Sequence, residues 1–123
     1  MLLDRSCPGG GWNAGNGMAF DVALSPHPDD SAIALLALAE HAEASPVQAG
    51  LEWLEGVAPT LPAPWSLAWA LLALAAQRRP LGSVRNALGS CSAPGDVEDN
   101  ATLAAVCLAL DHRCALPILG IQP

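Results

Sequence analysis

Three segments of the chain are apolar at almost every position, and they recur at a constant interval. The sequence Ala-Leu-Leu-Ala-Leu at 34–38 is repeated at 70–74, and the related sequence Val-Cys-Leu-Ala-Leu stands at 106–110. Both intervals are 36 residues. A helix that is apolar on all faces belongs in a core. The pattern therefore predicts three inner helices, and it predicts that the first of them is buried on every side.

The segments that follow the first two apolar cores are amphipathic instead. Between 46 and 57, Val47, Leu51 and Leu54 fall on one helical face and polar residues take the other, and 81–89 has the same character. Apolar residues at this spacing are typical of a surface helix. Each inner helix is thus predicted to be followed by an outer one.

The expected helix starts keep the same interval. Pro28 and Pro64 are 36 residues apart, and proline suits the first position of a helix because its missing N–H is no loss there. The third apolar segment opens with Asp99-Asn100, which are good capping residues, and Asn100 is expected to be the cap.

The chain is therefore predicted to be all-α, built from antiparallel helical-hairpin repeats with a period of about 36 residues. Residues 1–27 form a loop rich in glycine, 28–63 and 64–99 are two repeats, and 100–123 is a partial third. Three inner and two outer helices are expected. Neither end shows the polar capping helix with which such arrays close, so the segment is expected to be a slice of a longer array.

The amino-acid composition indicates which kinds of partner this chain can bind. Hydrophobic residues make up 52% of the chain and charged residues only 14%, an excess that predicts apolar faces for further repeats, a second chain or an apolar ligand. The net charge of −7, with no lysine, argues against nucleic acid and against anionic membrane surfaces. No apolar run approaches the ~20 residues of a membrane span. Four cysteines without a signal peptide indicate free thiols and a cytoplasmic protein.

The loop and the first helix together resemble a known repeat. Gly10-Gly11-Trp12-Asn13, followed by the segment 30–38, is similar to the repeat of the prenyltransferase and squalene-cyclase family, although Gly9 stands where that family usually has aspartate. The resemblance covers residues 7–44, and later repeats share only the helix, with 94–97 a worn version of the loop. It implies a partial α/α toroid around an apolar cavity and an isoprenoid-like ligand.

The acidic helix start is the candidate for chemistry. The sequence 27–32, His-Pro-Asp-Asp-Ser-Ala, resembles the acidic motif of squalene-type cyclases, with His27 in place of the first acid. The resemblance implies that Asp29 is a general acid and Asp30 the last acid of the motif. Alternatively, both carboxylates simply complement the helix dipole. We expect no complete active site in this chain alone. The first hypothesis is a non-catalytic repeat segment, and the alternative is part of a terpenoid cyclase or prenyltransferase-type enzyme.

Other candidate sites are less well supported by the sequence. Cys91, Cys107, His112 and Cys114 lie close together in the sequence, but without a C-x-x-C pair they do not have the spacing of a zinc site. Cys107 takes a core position of the repeat and is expected to be buried. We predict no metal site, and since no nucleotide-binding motif is present we predict no cofactor. The tryptophans either line an isoprenoid cavity or staple helices together, and Trp12 is expected to pin its loop onto the neighbouring repeat.

Overall fold

The protein is mainly helical. A computed structural model describes residues 1–91, 95 and 97–122, and the aspartate and proline of the expected worn loop at 94–97 lie outside the described residues. A short antiparallel pair of strands precedes the helices: β1 (Met18–Ala19) and β2 (Val22–Ala23). The helices are α1 (Pro28–Ala37), α2 (Ser45–Val57), α3 (Pro64–Ala76), α4 (Gly82–Ser90), α5 (Asn100–Leu110) and α6 (His112–Ile118).

The predicted helix starts are confirmed at both prolines. Pro28 and Pro64 are the first residues of α1 and α3. At α5 the capping residue is Asp99, whose Oδ1 accepts a hydrogen bond from the backbone N–H of Thr102 at 2.7 Å. The expectation that Asn100 is the cap is wrong, because Asn100 is already helical. A cap of this kind satisfies one of the N–H groups that a helix start leaves unpaired.

Helix α3 is the centre of the molecule. It packs against α1 and α5, while α2 packs against α1 and α4 packs against α3. Its leucines Leu67, Leu71, Leu72 and Leu74 are all buried. The sequence pattern of α3, apolar all round, is therefore matched by burial all round.

Helices α1 and α5 differ from α3, although their sequences are equally apolar. Ile33 and Ala37 on α1 are exposed, so the prediction that the first inner helix is buried on every side is wrong. On α5, Leu103 and Leu110 are about half exposed, and Cys107, expected in the core, is exposed as well. The reason is position: no other inner helix of the described chain lies beyond α1 or beyond α5 to cover these faces.

Helix α6 is an element that the sequence analysis did not include. Only two outer helices were expected, yet α6 follows α5 after a single residue and packs against α5 and α3. Its Ala115 and Leu116 are buried there, which explains why the segment forms a helix. Within the described residues no helix is by itself long and apolar enough to cross a membrane; α5 and α6 pass such a test only together, and they are bent by 106°.

The N-terminal loop contains a small hairpin. Met18 pairs with Ala23 and Ala19 with Val22, and the two residues between the strands, Phe20 and Asp21, both have positive φ (50° and 61°). Two left-handed residues in a two-residue connection are the geometry that joins twisted strands. The all-α prediction therefore holds for the body of the chain but not for this loop.

Polar contacts fasten α2 to the end of α3. The Arg79 guanidinium donates to Gln48 Oε1 at 2.7 Å and lies 3.3 Å from Glu55 Oε1. The Gln77 side chain donates to the backbone carbonyl of Leu35 at 3.1 Å, so it satisfies an acceptor near the end of α1. These side chains fix the first helical hairpin against the central helix.

Candidate functional site

The glycine-tryptophan loop is held on the first hairpin by Trp12. Trp12 is almost fully buried. Its backbone N–H donates to Ser31 Oγ at 2.8 Å, and the Ser31 hydroxyl donates to the Trp12 carbonyl at 3.1 Å. Its indole Nε1–H donates to the carbonyl of Leu2 at 2.9 Å. Trp12 was predicted to pin its loop onto the neighbouring repeat; the structure shows that it fastens the loop to Ser31 on α1, the helix of the same sequence motif.

Two glycines allow this close approach. Gly10 has a φ of +93°, and a Cβ there would lie 2.4 Å from the carbonyl oxygen of Ala49. On the facing helix, a Cβ at Gly50 would lie 2.5 Å from Cζ3 of Trp12. Neither position can take a side chain without displacing α2 or the indole. The loop and α2 therefore meet backbone against backbone, which the Gly-Gly-Trp sequence alone did not reveal.

An open groove lies between the docked loop and α1. Its volume is about 310 Å³, at the lower end of the range for ligand pockets. On the helix side it is lined by Ile33 and Ala37, which we call its floor, and its lining also includes Leu2, Arg5 and Asp30. We call it the α1 groove, and its floor is the exposed face of α1. A surface of this kind can receive an apolar side chain or a small apolar molecule.

The two candidate acids lie in the first turn of α1 and differ in environment. Asp30 lines the α1 groove, and its Oδ2 is 3.3 Å from His27 Nδ1. Asp29 does not line that groove; its Oδ1 is buried and has no hydrogen-bond partner in the described part of the chain. The structure thus brings His27 and Asp30 together and separates Asp29 from the open apolar space.

The cysteines and histidines do not assemble into a site. Among the described residues no group of three or more metal-binding side chains comes together. His112 instead lies 3.4 Å from the Arg85 guanidinium, measured from its Nδ1. The pKa of the Cys114 thiol is raised, first by its hydrogen bond to Asp111 and then by the negative charge of that carboxylate.

The tryptophans are structural in their contacts. Trp65 and Trp69 form an edge-to-face pair on α3, with ring centroids 5.6 Å apart. This arrangement suits the aromatic quadrupoles and stabilises the pair. The Trp69 indole nitrogen is buried with no hydrogen-bond partner among the described residues. Trp53 is half-buried and lies close to Gly10 and Gly11, so it supports the docked loop.

The second exposed apolar surface lies on α5. Leu103, Cys107 and Leu110 are spaced i, i+4 and i+7, so they form one stripe along the helix, and all three are exposed. Beside this stripe, Leu108 and Ile118 line a shallow groove between α5 and α6. We call the stripe, together with Leu108, the α5 face. It carries no charged side chain.

Residues at the 36-residue interval differ systematically in burial. The positions that form the floor of the α1 groove are exposed on α1, buried or half-buried on α3, and buried on α5. The positions that form the α5 stripe are exposed only on α5; they are buried on α3 and also in the first copy, where two lie on α1 and the third directly follows it. The first set is Ile33/Trp69/Ala105 and Ala37/Ala73/Ala109; the second is Ser31/Leu67/Leu103, Leu35/Leu71/Cys107 and Leu38/Leu74/Leu110.

Sequence reasoning missed two of these features. It treated all three apolar helices alike, although the packing order decides which faces are covered: α3 packs against both α1 and α5. It also passed over Ser31, a hydroxyl at the place where Leu67 and Leu103 stand in the other copies. A lone polar residue at an otherwise apolar position is a detectable signal of a buried hydrogen bond.

Comparisons with known proteins give no match. No family model matches the sequence, and no curated protein or solved structure shows significant similarity to the chain. The resemblance of the loop and first helix to the prenyltransferase and squalene-cyclase repeat therefore stays a prediction.

Proposed function

We propose that this chain is a helical-repeat interaction module that binds further helical repeats through the exposed apolar faces of α1 and α5. The observation that carries the proposal is the complementary burial of equivalent positions. Ile33 and Ala37 are exposed on α1, whereas their equivalents on α5 are buried. The three residues of the α5 stripe are exposed, whereas their equivalents in the first copy are buried. On α3 the equivalents of both sets are buried or half-buried.

The burial differences follow from which neighbours each helix has. Among the described residues α3 and α5 have a preceding inner helix and α1 does not, which accounts for the exposure of Ile33 and Ala37. In the same part of the chain α1 and α3 have a following inner helix and α5 does not, which accounts for the exposure of Leu103 and Leu110. Apolar faces left in this way are typical of interaction surfaces.

The same relationships support an antiparallel helical-hairpin repeat with a 36-residue period. Inner helices follow one another in the packing order α1, α3, α5, and α2 and α4 each pack on the inner helix that precedes them. In such arrays each repeat contacts mainly its neighbours. The resemblance implies a partial α/α toroid, which is an open segment of the closed ring that an array of this kind would form. The module is proposed to act by binding and not by catalysis.

Dye binding tests the exposed faces directly. A neutral solvatochromic dye such as Nile red is suitable because the protein carries a net charge of −7. At submicromolar protein we expect a fluorescence increase that falls by more than half in the double variant Leu103→Glu, Leu110→Glu. The matched control is Val22→Glu, since Val22 is equally exposed but lies in the hairpin. Absence of dye binding by the folded wild type, or an equal loss in the control, would overturn the proposal.

A second function is favoured by one observation on Asp29. Its buried, unpartnered Oδ1 fits a terpenoid-cyclase or prenyltransferase-type enzyme in which Asp29 is the general acid, since such an acid must be held away from water. The position of Asp30, not Asp29, in the lining of the α1 groove weighs against this function. The test is turnover of a polyprene or its epoxide: Asp29→Asn should abolish product and Asp30→Asn should not. No turnover by the wild type rejects the enzyme for this chain.

A further inference from the structure

The two exposed faces suggest which partner the module binds. Resting on the proposed function, we propose that the partner is a second copy of this chain, docked head to tail with the α5 face of one copy in the α1 groove of the next. A second copy would continue the packing already present in the chain, where α1 packs against α3 and α3 packs against α5. A third contact of this kind forms where the α5 of one copy meets the α1 of the next, beside the docked N-terminal loop.

The composition of the two faces fits this pairing. The stripe Leu103, Cys107 and Leu110 corresponds to Leu67, Leu71 and Leu74 on α3, which are covered within the chain. In the second copy this stripe would meet Ile33 and Ala37 of the α1 groove. The residues equivalent to these two on α5 are small and buried. In this pairing the larger side chains of the α5 face would enter the α1 groove, whose volume is about 310 Å³. Large side chains opposite a groove have the shape complementarity that close-packed helices need.

Charge is also favourable to an apolar contact. The α5 stripe and the groove floor are uncharged, and the charged residues that line the groove, Arg5 and Asp30, are of opposite sign. The repulsion that opposes association comes from the net charge of −7 on each copy. Because salt screens that repulsion and leaves apolar burial in place, association should strengthen as the salt concentration rises.

A head-to-tail contact differs from a symmetric dimer in its consequences. The two surfaces are different, so a pair still has one free face of each kind: the α1 groove of one copy and the α5 face of the other. Such heterologous contacts continue until they close a ring or form an open chain. The expected species are therefore a series beyond the dimer, whose distribution depends on protein concentration.

Two single-face variants test the pairing. Ile33→Glu blocks the α1 groove and Leu103→Glu blocks the α5 face, while Val22→Glu is the control with the same change in charge. By sedimentation velocity over a range of concentrations, we expect the wild type and the control to form oligomers beyond the dimer. Each blocked variant alone should associate at least tenfold more weakly. An equimolar mixture of the two should form a dimer that does not grow, because each variant keeps one competent face.

The outcomes separate this inference from the proposed function. A wild type that binds the dye but stays monomeric at all concentrations overturns the second copy as partner and leaves the proposed function intact. Lack of dye binding in a monomeric wild type overturns both. If the mixture of the two blocked variants does not form a dimer, or if one of them alone still dimerises as tightly as the wild type, the contact is not head to tail. Circular dichroism of each variant shows that it is folded, and Leu110→Glu replaces Leu103→Glu if that variant is not.

Discussion

Ser31 and Trp12 are joined by two hydrogen bonds of opposite direction: the Ser31 hydroxyl accepts from the Trp12 N–H at 2.8 Å and donates to the Trp12 carbonyl at 3.1 Å. Ser31 is fully buried. The Trp12 carbonyl also accepts from the His27 N–H at 2.7 Å, whereas the described residues offer no other acceptor to the Trp12 N–H. The serine is therefore the partner that makes burial of this backbone possible.

Replacing Ser31 with alanine should leave the Trp12 N–H buried and unpaired. We expect the free energy of unfolding to fall by about 1–3 kcal/mol, the usual cost of such a group. Urea denaturation measures it, and Ser83→Ala on the exposed side of α4 is the control, with little expected change. A Ser31→Ala variant as stable as the control would mean that the loop is not anchored by this hydroxyl.

Two glycines of α2 should respond oppositely to alanine. A Cβ at Gly50 would lie 2.5 Å from Cζ3 of Trp12, whereas a Cβ at Gly56 meets nothing within 4 Å. Gly56→Ala should be neutral or stabilise the protein by up to ~1 kcal/mol because alanine is the better helix former. Gly50→Ala should destabilise it by about 1–3 kcal/mol through overpacking. Thermal melts of both variants test this, and equal effects would contradict the close contact with Trp12.

The helices were predictable because their signals are local. Pro28 and Pro64 mark helix starts by conformation alone, and the apolar spacing of Val47, Leu51 and Leu54 selects the face of α2 that is buried. Such signals depend on residues within a turn or two. For the same reason α6 was missed: its helix depends on burial of Leu116 against elements that are distant in the sequence.

The candidate site was predictable only in part. The acidic turn was found from its motif. Which of its two acids lines the α1 groove depends on how the loop docks, and in the structure that acid is Asp30. Exposure of Ile33 and Cys107 could not be deduced from composition, since the residues at 36-residue intervals from them are apolar as well. What distinguishes them is the number of neighbouring helices, a property of the assembled fold.

If the 36-residue units are equivalent, the chain should accept another one. We expect that a second copy of residues 64–99, inserted after residue 99, folds together with the rest and raises the urea m-value by roughly 30%, in proportion to the added surface. The m-value is the measurement because it reports how much chain unfolds cooperatively. A glycine-serine insert of the same length is the control and should leave it unchanged. The same result for both inserts would contradict a stackable repeat.

Asp99, the capping residue of α5, should make the stability of the protein depend on pH. Hydrogen bonds from Thr102 lower the pKa of the Asp99 carboxyl below its ordinary value. A lowered pKa in the folded state means that the stabilisation is present above the unfolded pKa, about 3.9, and is lost as the pH falls through the folded pKa. In Asp99→Asn the cap does not titrate. Melting temperatures of the two proteins should therefore differ at pH 7 and converge or reverse at lower pH, and a constant difference would contradict this account.

Cys114 should become more reactive when its acidic neighbour is removed. The hydrogen bond to Asp111 and the negative charge of that carboxylate raise the pKa of the Cys114 thiol, so at a given pH less of it is thiolate, the form that reacts. Asp111→Asn should lower this pKa. At a pH below the pKa, each half unit by which the pKa falls should speed alkylation by about threefold. Mass spectrometry of iodoacetamide-treated protein across pH 7–10 gives the rate at Cys114 itself. Glu98→Gln removes one negative charge elsewhere on the exposed surface, so an equal acceleration in that variant would assign the effect to net charge and not to Asp111.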